Sequence, residues 1–432
     1  MKSAQDFLLA AKHCEIDALE QLRTTCELVT GLSELIHSLQ RERGASNVYL
    51  GSSGVRFSQV LQHQVSESSR AEKTLRNQFS RLDQHAGSVR LFSRIASVLH
   101  GFETLPRLRE RIRAVQLSSR EATTAFSRLI AGLLAIVFEA ADTAADPEVT
   151  SLLVAMFNFM QGKELSGQER AAGAMGFTAG FFTQEEQQRM VYLLDAQERC
   201  FDIFTQFAPA KALIAWRQLT DSRLCAELKT LRQVGRKANE VQPVPSELGE
   251  LWFELATQRI DEMKLIENQL ADALVQLSAY KIVEARADLH SHKDFLAAFN
   301  KAETPPLVPM AVLLDSSMMG FGAVAHSQKL SVEDMSPQLS HSLFDLVQAQ
   351  AQRLQSVSDE LLAAKRALHE RKQIERAKGI LMMHRGLTEE QAYKMLRQSA
   401  MDQSRRMADV AEAILNVADL LQEKRQVNIP II

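Results

Sequence analysis

The chain has 432 residues, 46% of them hydrophobic, 24% charged and 6% aromatic, with 50 Lys and Arg against 53 Asp and Glu for a formal net charge of −3. That length makes room for two or three domains around a sizeable buried core, and the balance is that of an ordinary soluble protein rather than a disordered one. Few aromatics beside abundant Ala, Leu, Glu, Gln and Arg favour helices over sheets.

Cys14, Cys26, Cys200 and Cys225 are scattered without metal-ligand spacing, which predicts buried free thiols in a reducing compartment. The N-terminal MKSAQDFLLAAKHCE lacks the apolar core and small-residue cleavage site of a leader peptide. LIAGLLAIVF, at 129–138, falls short of the roughly 18 apolar residues a membrane span needs. The expectation is a cytoplasmic protein without membrane contact. No glycine-rich phosphate loop, nucleophile elbow or zinc-type His or Cys pair is present, so the sequence predicts no enzyme, no catalytic residue, no metal and no cofactor.

Proline interrupts helix interiors, so its placement punctuates the chain. The first 105 residues hold none. Within them, ALEQLRTTCELVTGLSELIHSLQRERGASNVYL carries apolar residues every three or four positions, which predicts one long helix ended by Gly51-Ser52-Ser53-Gly54. Helices at roughly 55–85, 88–115 and 119–143 complete a four-helix bundle. After Asp146-Pro147 the pattern begins again, with helices near 148–180, 183–207, 210–237 and 246–299 joined by TAGFFTQEE, FAPAK and VQPVPSE. These make a second bundle.

Residues 301–335 form a mildly apolar linker with Pro305, Pro306 and Pro309, unlike a free coil. A long helix then runs from about Ser336 to Arg385. Its near-heptad stripe of Leu343, Leu346, Val347, Leu354, Val357, Leu361 and Leu362 suits either pairing in a homodimer or burial within the same chain. The helix breaks at Gly386, and Thr388-Glu389-Glu390-Gln391 reads as a capping box that starts the first of two short helices.

Between Lys365 and Arg406 stand eleven Lys and Arg against five Asp and Glu, a local charge of +6 on a remainder near −9. A basic module on an acidic carrier points to a polyanionic partner. Arg371, Lys378 and Arg385 recur every seven residues on roughly one helix face, and Tyr393 and Arg397 suit stacking on an unpaired base and holding a phosphate. A purely solvated face fits the same charges.

Two pentapeptides 127 residues apart repeat each other: Arg41-Glu42-Arg43-Gly44-Ala45 and Gln168-Glu169-Arg170-Ala171-Ala172. Small residues follow both, so a duplicated arginine can line a compact anion site where helices approach closely. A surface arginine on a good helix is the plain alternative.

The stretch IERAKGILMMHRGLTEEQAYKMLRQSA followed by RRMADVAEAIL closely resembles the ANTAR module, a three-helix RNA-binding output domain. HSLQRERGASNVYLGSSGVRF and GKELSGQERAAGAMG look like the signatures of the NIT domain, a nitrate- and nitrite-sensing double four-helix bundle. Their combination resembles the NasR-type nitrate-responsive antiterminators. The resemblance implies an all-α chain: a NIT-like sensor of two four-helix bundles over 1–300, a linker over 301–335, and a coiled-coil-like helix plus ANTAR module over 336–425. It implies nitrate or nitrite as signal ligand and binding of hairpins in a leader mRNA, preventing a downstream terminator, with RNA polymerase engaged only indirectly.

A guanidinium donates two parallel hydrogen bonds to a planar anion, so Arg43 and Arg170 are the first candidates for nitrate, and Arg41, Arg232 and Arg236 the secondary ones. Arg371, Lys378, Arg385, Tyr393 and Arg397 are the candidates for RNA contact. Ala377 and Gly379 join them by leaving space for close approach, or else serve tight helix packing. Ala408 and Ile414 are expected to hold the three short helices together. A ligand-responsive helix-turn-helix DNA regulator is the alternative function, since Thr388 to Ala418 also supplies two short helices and a polar turn.

Overall fold

The computed structural model describes residues 4–82, 88–301 and 338–426, and every regular element among them is an α-helix. The 302–337 stretch, and with it nearly all of the expected linker, lies outside the described residues. So do the side chains of the stripe from Leu343 to Val357.

Helix α1 spans Ala4–Gly51, and the chain turns after it through Ser53 and Gly54, both at positive φ. Then follow α2 (Ser58–Phe79), α3 (Val89–Arg113) and α4 (Ser119–Thr143). Ser88 caps α3 by accepting from the Leu91 amide, and Ser118 with Glu121 forms a capping box on α4. Helix α5 (Pro147–Ala179) opens with Pro147 behind an Asp146 cap and closes on left-handed Gly180, as residues of those types favour. Helix α6 (Gln184–Phe207) starts in a second capping box, Thr183 with Glu186.

The single helix expected over 210–237 is two, α7 (Ala210–Thr220) and α8 (Arg223–Lys237). Asp221 leaves the helical region, and the Ser222 side chain accepts from the Cys225 amide to begin again. A serine cap without the acidic residue of a capping box left too faint a signal. Helix α9 (Leu248–Lys301) closes the N-terminal part, and α10 (Gln338–Arg385), α11 (Glu389–Asp402) and α12 (Met407–Gln426) form the rest.

Helix α1 packs on α2, α4 and α9, and α3 lies on α4; α5 packs on α6 and α9, with α7 and α8 against α9. Leu28, Leu32, Ile36, Phe126, Ile130 and Phe159 anchor the shared core. Full burial of each such side chain stabilises by about 1.5–3 kcal/mol. Helix α4 is the one described helix long and apolar enough to cross a membrane, and half of that stretch is buried in this core. A smaller cluster around Phe177, Phe182, Leu228 and Trp252 fills the space between α5, α6, α8 and α9.

The C-terminal module has its own core of Ala377, Leu381, Ala392, Leu396, Ala400, Val410, Ala411 and Leu415. Ala408 is buried and Ile414 packs against that cluster. Helix α10 bridges the two parts: Ala364 and Leu368 are buried in the N-terminal core, and α10 lies along α5. This stretch of α10 is buried within its own chain.

Candidate anion site and its link to the C-terminal module

The duplicated pentapeptides meet where α1 crosses α5. Each repeat's glutamate is buried and clamped by an arginine from a later helix. Glu42 takes two hydrogen bonds from Arg109 of α3, both 2.8 Å, and a third from Ser68. Glu169 takes two from Arg232 of α8, at 2.7 and 2.8 Å, and one from Gln197 at 2.8 Å. Such charge-assisted forks fix geometry as well as neutralise charge.

Each repeat's arginine reaches across to the other helix. Arg43 is 1% exposed. Its Nη1 donates to Glu164 Oε1 at 2.5 Å and Ser127 Oγ at 2.7 Å, and its Nη2 to Glu164 Oε2 at 3.0 Å. Arg170, 5% exposed, meets only neutral groups: Thr257 Oγ1 at 2.9 Å, the Gln40 carbonyl at 3.4 Å, and the Phe253 ring, whose centroid lies 5.0 Å from Cζ. Among the described residues no carboxylate comes within ion-pairing distance of it. Burial first, and then the neighbouring Arg43, push its pKa down to about 10, against the pull of Asp261 and Glu164.

Glycines make this crossing possible. A Cβ on Gly44 would stand 2.6 Å from Arg170 Nη2, and one on Gly167 2.7 Å from Arg43 Nη2. Both guanidiniums therefore lie directly on the backbone of the opposing helix. The Trp252 indole N–H donates to the Arg170 carbonyl at 3.0 Å, which anchors α9 beside the site.

About a turn away lies a second charged group. Lys163 and Glu267, both fully buried, pair at 2.6 Å, and Glu267 also accepts from Ser33 at 2.5 Å and Lys264 at 3.1 Å. Burial works against a charged Glu267, but the two lysines win and hold its pKa at about 2. His37 of α1, next to this group, is driven to about 2 by burial and by Lys163, so its imidazole is neutral.

Of the secondary anion candidates, Arg41 and Arg236 are exposed, and Arg232 is committed to Glu169. At the crossing the donors of Arg43 are taken by Glu164 and Ser127, whereas those of Arg170 meet only a hydroxyl and a carbonyl.

The candidate RNA residues divide sharply. Arg371 is turned inward: Nη1 donates to Asn158 Oδ1 of α5 at 3.0 Å and approaches Cys200 Sγ at 3.6 Å, while Cζ lies 4.8 Å from the Phe157 ring centroid. Tyr393 is covered by α6. The Arg199 guanidinium donates to its hydroxyl and sits 4.3 Å over its ring, and Tyr192 packs edge-on at 5.4 Å. Arg397 pairs with Asp195. Lys378 is buried between Glu375 at 2.9 Å and Glu389 at 2.8 Å, and the same Glu389 oxygen accepts from the Tyr192 hydroxyl at 2.9 Å. Burial opposes the charge on Lys378, but the two carboxylates raise its pKa above the ordinary lysine value. Arg385 is exposed, with Met395 Sδ 3.7 Å from Nη1. Ala377 lies in the module core, and Gly379 is exposed with nothing within 4 Å of a Cβ placed there.

Sequence reasoning missed Glu164, the carboxylate on Arg43, and the α6 residues Tyr192, Asp195 and Arg199 that hold the module. Glu164 stands within the second NIT-like signature but outside its duplicated pentapeptide, the three α6 residues stand in no motif, and the partners of all four are more than a hundred positions away. Among the described residues no cluster of His, Cys, Asp and Glu is suited to a metal.

The family model for nitrate and nitrite sensing, NIT, matches residues 34–275, and that for the ANTAR domain matches 362–415. Over 422 residues the chain is 34% identical to the nitrate regulatory protein of Klebsiella oxytoca, covering 96% of this chain and 95% of that one. A 131-residue stretch is 28% identical to the transcriptional regulatory protein PdtaR of Mycobacterium tuberculosis, covering 28% of this chain and 62% of that protein. The solved structure of the NasR transcription antiterminator superposes with a TM-score of 0.60 at 32% identity, covering 96% of this chain and 99% of that one. The chain therefore belongs to the family of nitrate- and nitrite-sensing NIT proteins that carry an ANTAR domain.

Proposed function

We propose that this chain is a cytoplasmic, nitrate- and nitrite-responsive positive regulator that binds hairpins in a leader mRNA and causes transcription antitermination of nitrate and nitrite assimilation genes. Residues 1–300 form the sensor, 301–335 the linker and 336–425 the output helix and ANTAR module. Arg43 and Arg170 receive the anion. Arg371, Lys378, Arg385, Tyr393 and Arg397 contribute the RNA contacts. Regulation needs neither catalysis nor a cofactor.

One observation carries this reading: Tyr393, Arg397 and Arg371, which suit RNA contact, are engaged by Arg199, Asp195 and Asn158 of the sensor. While docked, the module cannot present those groups to RNA. The anion acts by favouring the undocked arrangement, and it shifts that equilibrium only by its differential affinity for the two arrangements. RNA must then tighten nitrate binding by the same factor that nitrate tightens RNA binding.

The test is binding of a labelled RNA hairpin by the full chain, with nitrate or chloride, at two salt concentrations, beside Arg43→Ala. Nitrate-dependent binding that disappears in the variant is the expected result. Binding indifferent to nitrate refutes the sensor reading, and preference for duplex DNA over the hairpin refutes the RNA reading.

A further inference from the structure

Phe57, in the turn between α1 and α2, stands in the left-handed backbone region at φ 66° and ψ 14°. A bulky side chain takes that conformation at a cost, because its Cβ crowds the following carbonyl, whereas glycine takes it freely. Helix capping does not account for it, since Phe57 precedes α2 without offering a side-chain hydrogen bond to the first turn. Such strain persists only where the surroundings impose it, and it gathers at functional sites.

The surroundings here are the turn's own bonds and α9. The Gly54 amide donates to the Tyr49 carbonyl at 2.8 Å, Ser52 Oγ accepts from the Arg56 amide at 2.8 Å, and Arg56 pairs with Glu250 of α9 at 3.0 Å. The exposed ion pair adds little energy, but it shows that the turn lies against the start of α9. There the Phe57 ring packs nearly perpendicular to Phe253, at 83° with centroids 6.5 Å apart. Phe253 in turn lies 5.0 Å from Arg170 Cζ. Three side chains, from the turn, α9 and α5, therefore form one stack that ends on the buried guanidinium.

That guanidinium has no carboxylate to fork it among the described residues. Its plane is set by Thr257 Oγ1 at 2.9 Å, the Gln40 carbonyl at 3.4 Å and the Phe253 ring. A planar fork serves a planar anion only when it is held in one orientation. We propose that Phe57 is a positioning residue of the anion site: it backs Phe253, and through that ring it holds Arg170 in the plane that receives the anion. This rests on the reading of Arg170 as an anion ligand.

The experiment is calorimetric titration of the purified full chain with sodium nitrate, with thermal unfolding followed by circular dichroism. Phe57→Gly relieves the turn and removes the ring, while Phe57→Leu keeps the strain and the apolar bulk. An aromatic pair of this geometry corresponds to about three- to tenfold in affinity, so both variants should bind nitrate that much more weakly, whichever way their unfolding temperatures move. Phe57→Tyr should bind like wild type. In a Phe253→Leu background, Phe57→Gly should add no further loss. Wild-type affinity in Phe57→Gly or Phe57→Leu overturns the proposal, and so does Phe57→Tyr as weak as Phe57→Leu. An equal loss with and without Phe253 also overturns it, because a turn that is merely structural gives that result. If Phe57→Gly does not fold, Phe57→Leu takes its place in the comparison. Arg170→Ala that binds nitrate like wild type overturns the site reading itself.

Discussion

Replacing Arg199 by alanine removes a sensor-side residue whose hydrogen bond and ring contact to the module, among the described residues, are both made to Tyr393. The guanidinium lies 4.3 Å from the ring centroid and donates to the phenol oxygen. A partly desolvated cation–π contact is worth about 1–2 kcal/mol, and a hydrogen bond from a charged donor about 1.5–3 kcal/mol. Both come from one side chain and overlap, and in the undocked arrangement Tyr393 and Arg199 regain water, so the net loss of docking is about 2 kcal/mol, or roughly thirtyfold in the docking equilibrium. A protein whose competent arrangement is a minor one has its apparent affinity reduced by that fraction. Arg199→Ala should therefore raise RNA affinity in the absence of nitrate by up to about thirtyfold and leave affinity at saturating nitrate unchanged. Fluorescence anisotropy with a labelled hairpin, with and without nitrate, reads both numbers. Unchanged or weakened RNA binding without nitrate, in a variant with wild-type helix content, would refute docking as the restraint on the module.

Gly167→Ala sets a methyl 2.7 Å from Arg43 Nη2, where the guanidinium is pinned to Glu164, so the helices must part or the fork must break. Overpacking of this kind costs about 1–3 kcal/mol, and calorimetry should show nitrate affinity falling with it. Arg109→Ala leaves the buried carboxylate of Glu42 without its main partner; urea unfolding should show a loss of about 3–5 kcal/mol, and a loss below about 1 kcal/mol would mean that water reaches Glu42. Gly379→Ala meets nothing in the folded module and should stabilise α10 by about 1 kcal/mol. If RNA approaches closely there, hairpin affinity drops while thermal stability rises; undiminished RNA binding would remove Gly379 from the contact surface.

Helix starts were legible wherever side chain and backbone chemistry coincide locally. Ser118 with Glu121, Thr183 with Glu186 and Thr388 with Gln391 each satisfy two amides within four residues, so the signal is complete in a short window. Ser222 caps α8 alone, and the break was missed. The duplicated arginines were legible because repetition is visible without knowing the fold. Their partners were not: Glu164 stands in the quoted signature but outside the duplicated pentapeptide, and what sets it apart is a contact made 121 positions away. Periodicity placed Arg371 and Lys378 on one face but could not say what that face meets. The structure turns Arg371 onto Asn158 and buries Lys378 between two acids. Charge counting along a chain cannot anticipate a partner on another helix.

Helix α5 carries Asn158 and Arg170 on one unbroken axis, and between Val149 and Ala174 no residue of it is exposed. Twelve residues of α-helix span about 18 Å. A rod enclosed on every side at crystal-like density has no soft flank to yield into. Its packing suits a piston better than a spring, since close-packed neighbours transmit strain and leave little room to bend. If Arg170 receives the anion as proposed, such a rod links that event to the Arg371 contact several turns away without melting anything in between.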